Sequence, residues 1–209
     1  MSSAASILQW ARKVQAIAQN GLQFTQDPFD RERFEQLQAL VAGILTSELS
    51  IEPGQLQGLW KGDEGYATPK VDVRGGVFQQ DKVLLVRERS DGKWTLPGGW
   101  VDVGDSPSFA VEREIREESG YLAKAVKLAA LYDRNNPVHG HPPSILHIYK
   151  LFFICELTGG APTLSNETDG VDFFPVDSLP PLSIGRASQS QIQRLYQHQL
   201  NRELPTDFD

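Results

Sequence analysis

Glu114, Glu117 and Glu118 stand at i, i+3 and i+4 in the run Arg113-Glu114-Ile115-Arg116-Glu117-Glu118-Ser119-Gly120. On a helix that spacing puts three carboxylates on one face. Like charges so placed destabilise an isolated helix by roughly 0.2–0.5 kcal/mol per pair. A fold that keeps them together either solvates them or sets a cation among them. No histidine or cysteine accompanies them, so the donor set is all oxygen. That suits Mg²⁺, Mn²⁺ or Ca²⁺ and not zinc. Mg²⁺ keeps several waters and is completed by substrate phosphates, and two ions could share the three carboxylates. The reaction implied is attack of water on phosphorus with a phosphate as leaving group. Alone, the pattern reads as a solvated helix face. Gly99, Asp105, Arg113 and Gly120 at fixed offsets turn the balance towards the cation.

The elements around the cluster must position it. Ser106 and Pro107 are suited to the cap and first position of the glutamate helix, and Gly120 to a left-handed stop. Gly98 and Gly99 let backbone approach the site, since neither carries a Cβ. Arg113 can pair with Glu117 at i, i+4 or fold towards Glu114 and hold its orientation. Glu112 and Arg116 are expected to pair on the solvated face.

The chain has 209 residues, a net charge of −7 and 40% apolar residues. This suits one domain with an appendage, or two small domains. The acidic balance argues against a coat for nucleic acid, and no basic recognition face is present, so DNA binding is not expected. The single cysteine, Cys155, lies in an apolar strand-like run and reads as core. No apolar stretch reaches the ~20 residues of a membrane span and no secretory signal is evident, so a cytoplasmic location is expected.

Two amphipathic helices open the chain. The first carries Ile7, Leu8, Ala11, Val14 and Ala18, with Gly21 as its expected stop. The second has Asp27 as cap and Pro28 in the first position, with Phe34, Leu37, Val41, Ile44 and Leu45 as its apolar face. A Gly/Pro-rich linker containing Pro53, Gly54, Gly58 and Gly62 follows. Strands are expected over Val71–Phe78, Lys82–Val86, Ala125–Tyr132, Ile145–Leu157 and Asp172–Val176. Trp94–Gly99 reads as a loop beside a strand, and Ser188–Asn201 as a closing helix. The fold class is α+β, a helix–sheet–helix sandwich behind a small all-α N-terminal domain, divided as 1–64 and 65–209. Two such helices bury little by themselves, so the N-terminal domain is expected to form a homodimer.

Residues 99–121 resemble the Nudix box, G-x5-E-x7-R-E-U-x-E-E-x-G-U with U a bulky apolar residue. Gly99, Arg113, Glu114, Ile115, Glu117, Glu118 and Gly120 match, while Asp105 stands for the first glutamate and Tyr121 for the last apolar residue. The segments 15–22, 27–33, 65–74 and 91–100 are similar to a Nudix subfamily with a helical N-terminal domain. The resemblance implies a sheet with flanking helices, and Glu114, Glu117 and Glu118 as Mg²⁺ ligands (Mn²⁺ is an alternative). Glu117, Glu118 and Arg113 are its catalytic residues, with Arg113 orienting Glu114. It also implies hydrolysis of nucleoside diphosphates linked to another moiety X, including ADP-ribose and CDP-choline. The products would be a nucleoside monophosphate and phosphorylated X. Asp105 is one methylene shorter than the glutamate that braces helix and arginine. Glu167, in a polar loop, is a candidate for the extra acid many members use. Arg74, Arg87, Gly98, Gly99 and His147 are candidate substrate contacts. Tyr66, Trp94 and Tyr132 could stack on a base or serve as core. A non-catalytic nucleotide sensor and a hydrolase of free or RNA-linked 5′-triphosphates are the competing readings.

Overall fold

The second helix starts as its sequence dictates: Asp27 Oδ1 accepts from the Phe29 and Asp30 N–H groups at 2.8 and 3.0 Å, and Pro28 is the first helical residue. The computed structural model of the chain describes residues 3–49 and 65–209. The Gly/Pro-rich linker from Pro53 to Gly62 lies outside the described residues. The chain divides into two compact units, 1–69 with 143–147, and 70–142 with 148–209.

In the first unit, helices α1 (Ser3–Phe24) and α2 (Pro28–Leu49) bury Leu8, Ala11, Val41 and Leu45 between them. Helix α1 does not stop at Gly21. That glycine sits where a Cβ would overlap the Phe34 ring, so its function is close approach of the two helices. Ile44, expected on the inner face, is exposed. Residues 143–147 join this unit: Ile145 packs on its core, and Arg12 Nη1 donates to Ser144 O at 2.8 Å. For that reason the strand expected from Ile145 begins only at Ile148.

The second unit holds strands β1 (Lys70–Gln79), β2 (Lys82–Glu88), β3 (Trp94–Thr95), β4 (Tyr121–Asp133), β5 (Ile148–Gly160), β6 (Thr168–Pro175) and β7 (Asp207–Phe208), with helices α3 (Pro107–Ser119) and α4 (Gln189–Leu200). The sheet order is β3-β2-β1-β5-β4-β7, and β6 pairs with β2. The β1–β5 pair is parallel and sets Asp72 opposite Lys150 and Arg74 opposite Phe152. Alternation along the strands supplies both faces. Phe152 and Ile154 join Leu85, Ile192 and Leu195 in one core cluster, while Phe153 and Cys155 join Leu84, Val111 and Ile115 in the other. Helices α4 and α3 thus cover opposite faces, which is the expected sandwich. Cys155 is core, its thiol pushed up to about 12 by burial. No described helix is long and apolar enough to cross a membrane.

Strand β7 was not legible in the sequence. It is tied down by Asp207, whose Oδ1 accepts from Arg194 Nη2 at 2.7 Å and whose Oδ2 lies 3.0 Å from His198 Nε2. The Arg194 hydrogen bonds hold the Asp207 carboxyl well below the usual carboxylate range, with His198 adding to them against partial burial. A depressed pKa contributes stability that is complete above the ordinary carboxylate value and lost as pH falls through the folded one. The difference in melting temperature between the wild type and Asp207→Asn is therefore expected to be full at pH 6 and to shrink below pH ~4. An equal difference at pH 6 and pH 2.5 in differential scanning calorimetry would contradict this.

Candidate active site

Helix α3 begins at Ser106, whose Oγ accepts from the Phe109 N–H at 3.3 Å, with Pro107 in the first turn. It ends at Gly120 in the left-handed region, φ 76°. Both limits are as expected. Ile115 is fully buried against the sheet, which fixes the roll of the helix and sends Glu114, Glu117 and Glu118 to one cleft.

Burial differs among the three. Glu118 is 5% exposed, and its Oε2 accepts from the Gly98 N–H at 2.8 Å. Burial pushes its carboxyl up to about 8, opposed by Arg74 and by the Gly98 N–H. Glu114 is raised by burial too, with Arg113 opposing. Arg113 Nη1 lies 2.9 Å from Glu114 Oε1 and 3.2 Å from Glu117 Oε2, so it serves both of the partners its spacing offered. Its Nε reaches Asp105 at 3.3 Å. The shorter acid therefore still braces the arginine, and Asp102 stands 3.3 Å from Nη2. The expected Glu112–Arg116 pair is replaced. Glu112 turns to β4, where it pairs with Lys124 (3.1 Å) and accepts from the Ala125 N–H (2.9 Å).

The glycine loop meets these carboxylates. Gly98 has φ 143°, and a Cβ there would overlap the Val73 carbonyl. At Gly99 a Cβ would stand 3.2 Å from the Glu114 carboxyl. The loop carrying Glu167 is fastened to the end of α3: the Thr163 N–H donates to Ser119 O at 2.9 Å, and Thr168 Oγ1 to Glu118 O at 2.7 Å. Glu167 itself is exposed at the rim.

These residues line a cleft of about 800 Å³. Its carboxylates include Glu88, Glu114, Glu117, Glu118 and Glu167. Beside Arg113, its cations are Arg74, Arg134, Lys150 and Arg186. Of these cations only Arg74 is among the candidate substrate contacts of the sequence. It is 4% exposed and donates to both Asp72 oxygens (3.0 and 2.8 Å) and to Leu96 O (3.2 Å). Arg87 is not brought to the cleft. Alternation along β2 turns it away from its neighbour Glu88, and it pairs with Asp169 at 2.6 Å over the Trp94 ring. His147 is exposed and belongs to the first unit. Trp94 and Tyr132 pack against the core cluster, and Tyr66 pairs with Phe24 in the first unit.

Among the described residues no three His, Cys, Asp or Glu side chains are gathered closely enough to hold an ion as they stand, because Glu114 and Glu117 close on Arg113. The donor chemistry nevertheless fits a hard cation. The carboxylates are all-oxygen donors on one face, and two of them are partly desolvated without a full counter-charge.

Residues 69–195 match the family described as the NUDIX domain, and residues 5–60 match the family described as the UDP-X-like N-terminal oligomerisation domain. The chain belongs to the Nudix hydrolase family. It is accordingly a hydrolase of phosphoric anhydrides, in a family that uses divalent cations. Relatives of this Nudix chain include YjhB of Bacillus subtilis (strain 168), whose name carries ADP-ribose pyrophosphatase as a provisional assignment. It is 44% identical over 204 residues, 97% of this chain and 96% of that protein. A solved structure described as a UDP-X diphosphatase is 33% identical with a TM-score of 0.63, and all of each chain is covered. An ADP-ribose pyrophosphatase from Streptococcus suis 89-1591 is 38% identical with a TM-score of 0.62, covering 68% of this chain and all of that one.

Proposed function

We propose that this Nudix hydrolase cleaves the diphosphate linkage of a nucleoside diphosphate joined to X, such as ADP-ribose or CDP-choline, releasing a nucleoside monophosphate and phosphorylated X. The observation that carries this reading is one cleft lined both by a carboxylate helix and by buried cations. A diphosphate offers negative charge to both, directly to the cations and through a metal ion to the carboxylates. Glu114, Glu117 and Glu118 would hold Mg²⁺ or Mn²⁺, which when bound neutralises the diphosphate and lowers the pKa of a coordinated water. Arg113 orients Glu114 and Glu117, Gly98 and Gly99 admit the substrate close to backbone, and Glu167 takes the proton of the attacking water. The names of the relatives favour ADP-ribose and UDP-linked compounds as the first to test.

Incubation with Mg²⁺ and ADP-ribose, CDP-choline, UDP-sugars and nucleoside triphosphates, with product analysis, checks the proposal. Two phosphorylated fragments from a linked diphosphate are the expected result. Pyrophosphate release from triphosphates alone, or no turnover, would overturn it.

The first unit acts as a homodimerisation module in this reading. Its small core leaves Trp10, Ile17 and Phe24 along α1 more than 60% exposed, an apolar row that a second copy would cover. Ile17→Asp is expected to convert a dimer to a monomer in light scattering. A wild type that is monomeric at micromolar concentration would contradict the assignment.

A further inference from the structure

Two of the cations that line the cleft are buried against a single carboxylate. The parallel register places Lys150 beside Asp72, and Arg74 lies two residues along the same face. Lys150 Nζ bonds Asp72 Oδ1 at 2.5 Å, while Arg74 already holds both oxygens of that carboxylate. Asp72, Arg74 and Lys150 are 5%, 4% and 2% exposed. Two buried cations share one hydrogen-bonded carboxylate, and Glu118 and Glu88 act on Arg74 only through space. Burial pushes the Lys150 ammonium down to about 8 against the pull of Asp72, and Arg74 and Arg134 push it the same way. A buried charge without full compensation is costly, so a fold that retains it at a cleft floor has a use for an anion there.

Two further arginines face the same space. Arg134 is 8% exposed and is aimed by Gly185 O (3.2 Å) and Pro142 O (3.0 Å). Arg186 is set by Glu88 at 3.0 Å and by Ser183 Oγ at 2.9 Å. Their partners are protein groups fixed by the fold, so the cations are positioned before any ligand arrives.

We infer that Lys150, with Arg74, Arg134 and Arg186, forms a phosphoryl subsite that binds an anion without a metal ion, and that Lys150 is its central contact. The inference deepens the proposed function: this subsite takes the phosphoryl group of the linked diphosphate that the carboxylate helix does not serve. It assigns Lys150 as a substrate-positioning residue on a strand remote in sequence from the box.

The test uses inorganic pyrophosphate and the full chain with divalent ions chelated, read by isothermal titration calorimetry. The wild type is expected to bind, and Lys150→Met to bind at least about tenfold more weakly, the loss of one charge-assisted contact. Lys150→Met keeps the balanced Arg74–Asp72 pair, so the fold is expected to survive, with a thermal melt as the check. Should that variant not fold, Arg186→Gln, which alters a half-buried side chain, is expected to weaken binding threefold or more. Lys124→Gln, which changes an exposed cation on β4, is expected to change nothing. A metal-free wild type that does not bind pyrophosphate overturns the inference, and so does a folded Lys150→Met that binds as tightly as the wild type. The readout needs no hydrolysis, so it stands or falls separately from the substrate panel.

Discussion

Glu118→Gln is expected to lower turnover of the linked diphosphate by at least about 10²-fold while raising the melting temperature of the metal-free protein. Both effects come from the same burial. The carboxylate is the most enclosed of the three on α3, and the neutral amide keeps an oxygen for the Gly98 N–H. The cost of the native acid depends on pH. Its pKa rises from 4.5 to about 8 on folding, so between those values the folded state holds a proton that the unfolded chain has released. Stability therefore falls as pH rises across that window. The advantage of Glu118→Gln is expected to grow from pH 5 to pH 8, at about 2–4 °C per kcal/mol. Calorimetry with a chelator at the two pH values, beside steady-state rates with Mg²⁺, measures both. An active variant would remove Glu118 from the catalytic machinery, and a variant less stable at pH 8 would refute the burial argument.

Gly98→Ala is the second large effect. The φ of 143° is one that L side chains rarely adopt, and the added Cβ would overlap the Val73 carbonyl, a backbone atom of the central strand β1. Neither can yield without moving the loop that supplies the Glu118 hydrogen bond. A loss of at least about 3 kcal/mol in urea unfolding is expected, or failure to fold. Gly99→Ala makes the contrast. There the nearest atoms belong to the Glu114 side chain at 3.2 Å, which can swing aside. Its stability is expected to stay within about 1 kcal/mol of the wild type while activity falls. Equal destabilisation by the two substitutions would show that the close approach is not specific to Gly98.

The glutamate helix was legible because every signal in it is local. Cap, proline, carboxylate spacing and terminal glycine all fall within one helix, and Ser106, Pro107, Glu114, Glu117, Glu118 and Gly120 stand where the pattern put them. Of the cleft's cations outside the helix, Arg74 was legible, and Arg134, Lys150 and Arg186 were not. Lys150 meets Asp72 through a parallel pairing of strands far apart in the chain, and no local pattern carries register. A signal existed all the same: alternation along β5 puts position 150 in file with Ile148, Phe152 and Ile154, so a lysine there had to face inward. Arg87 misled for the complementary reason. Alternation alone does not tell which face of β2 lines the cleft. The strand expected from Ile145 starts later because Ile145 continues an apolar run, yet it serves the helical core.

That last misplacement bears on how the molecule is made. Because Ile145 and Ser144 complete the packing of α1 and α2, no single cut in the chain yields both units intact. A fragment ending at residue 64 would lack part of its own hydrophobic filling. During synthesis Ile145 emerges only after β1 to β4, so the helical hairpin lacks that contact until then. Neither compact unit is one continuous stretch of chain, and swapping one between relatives would mean exchanging two stretches of gene.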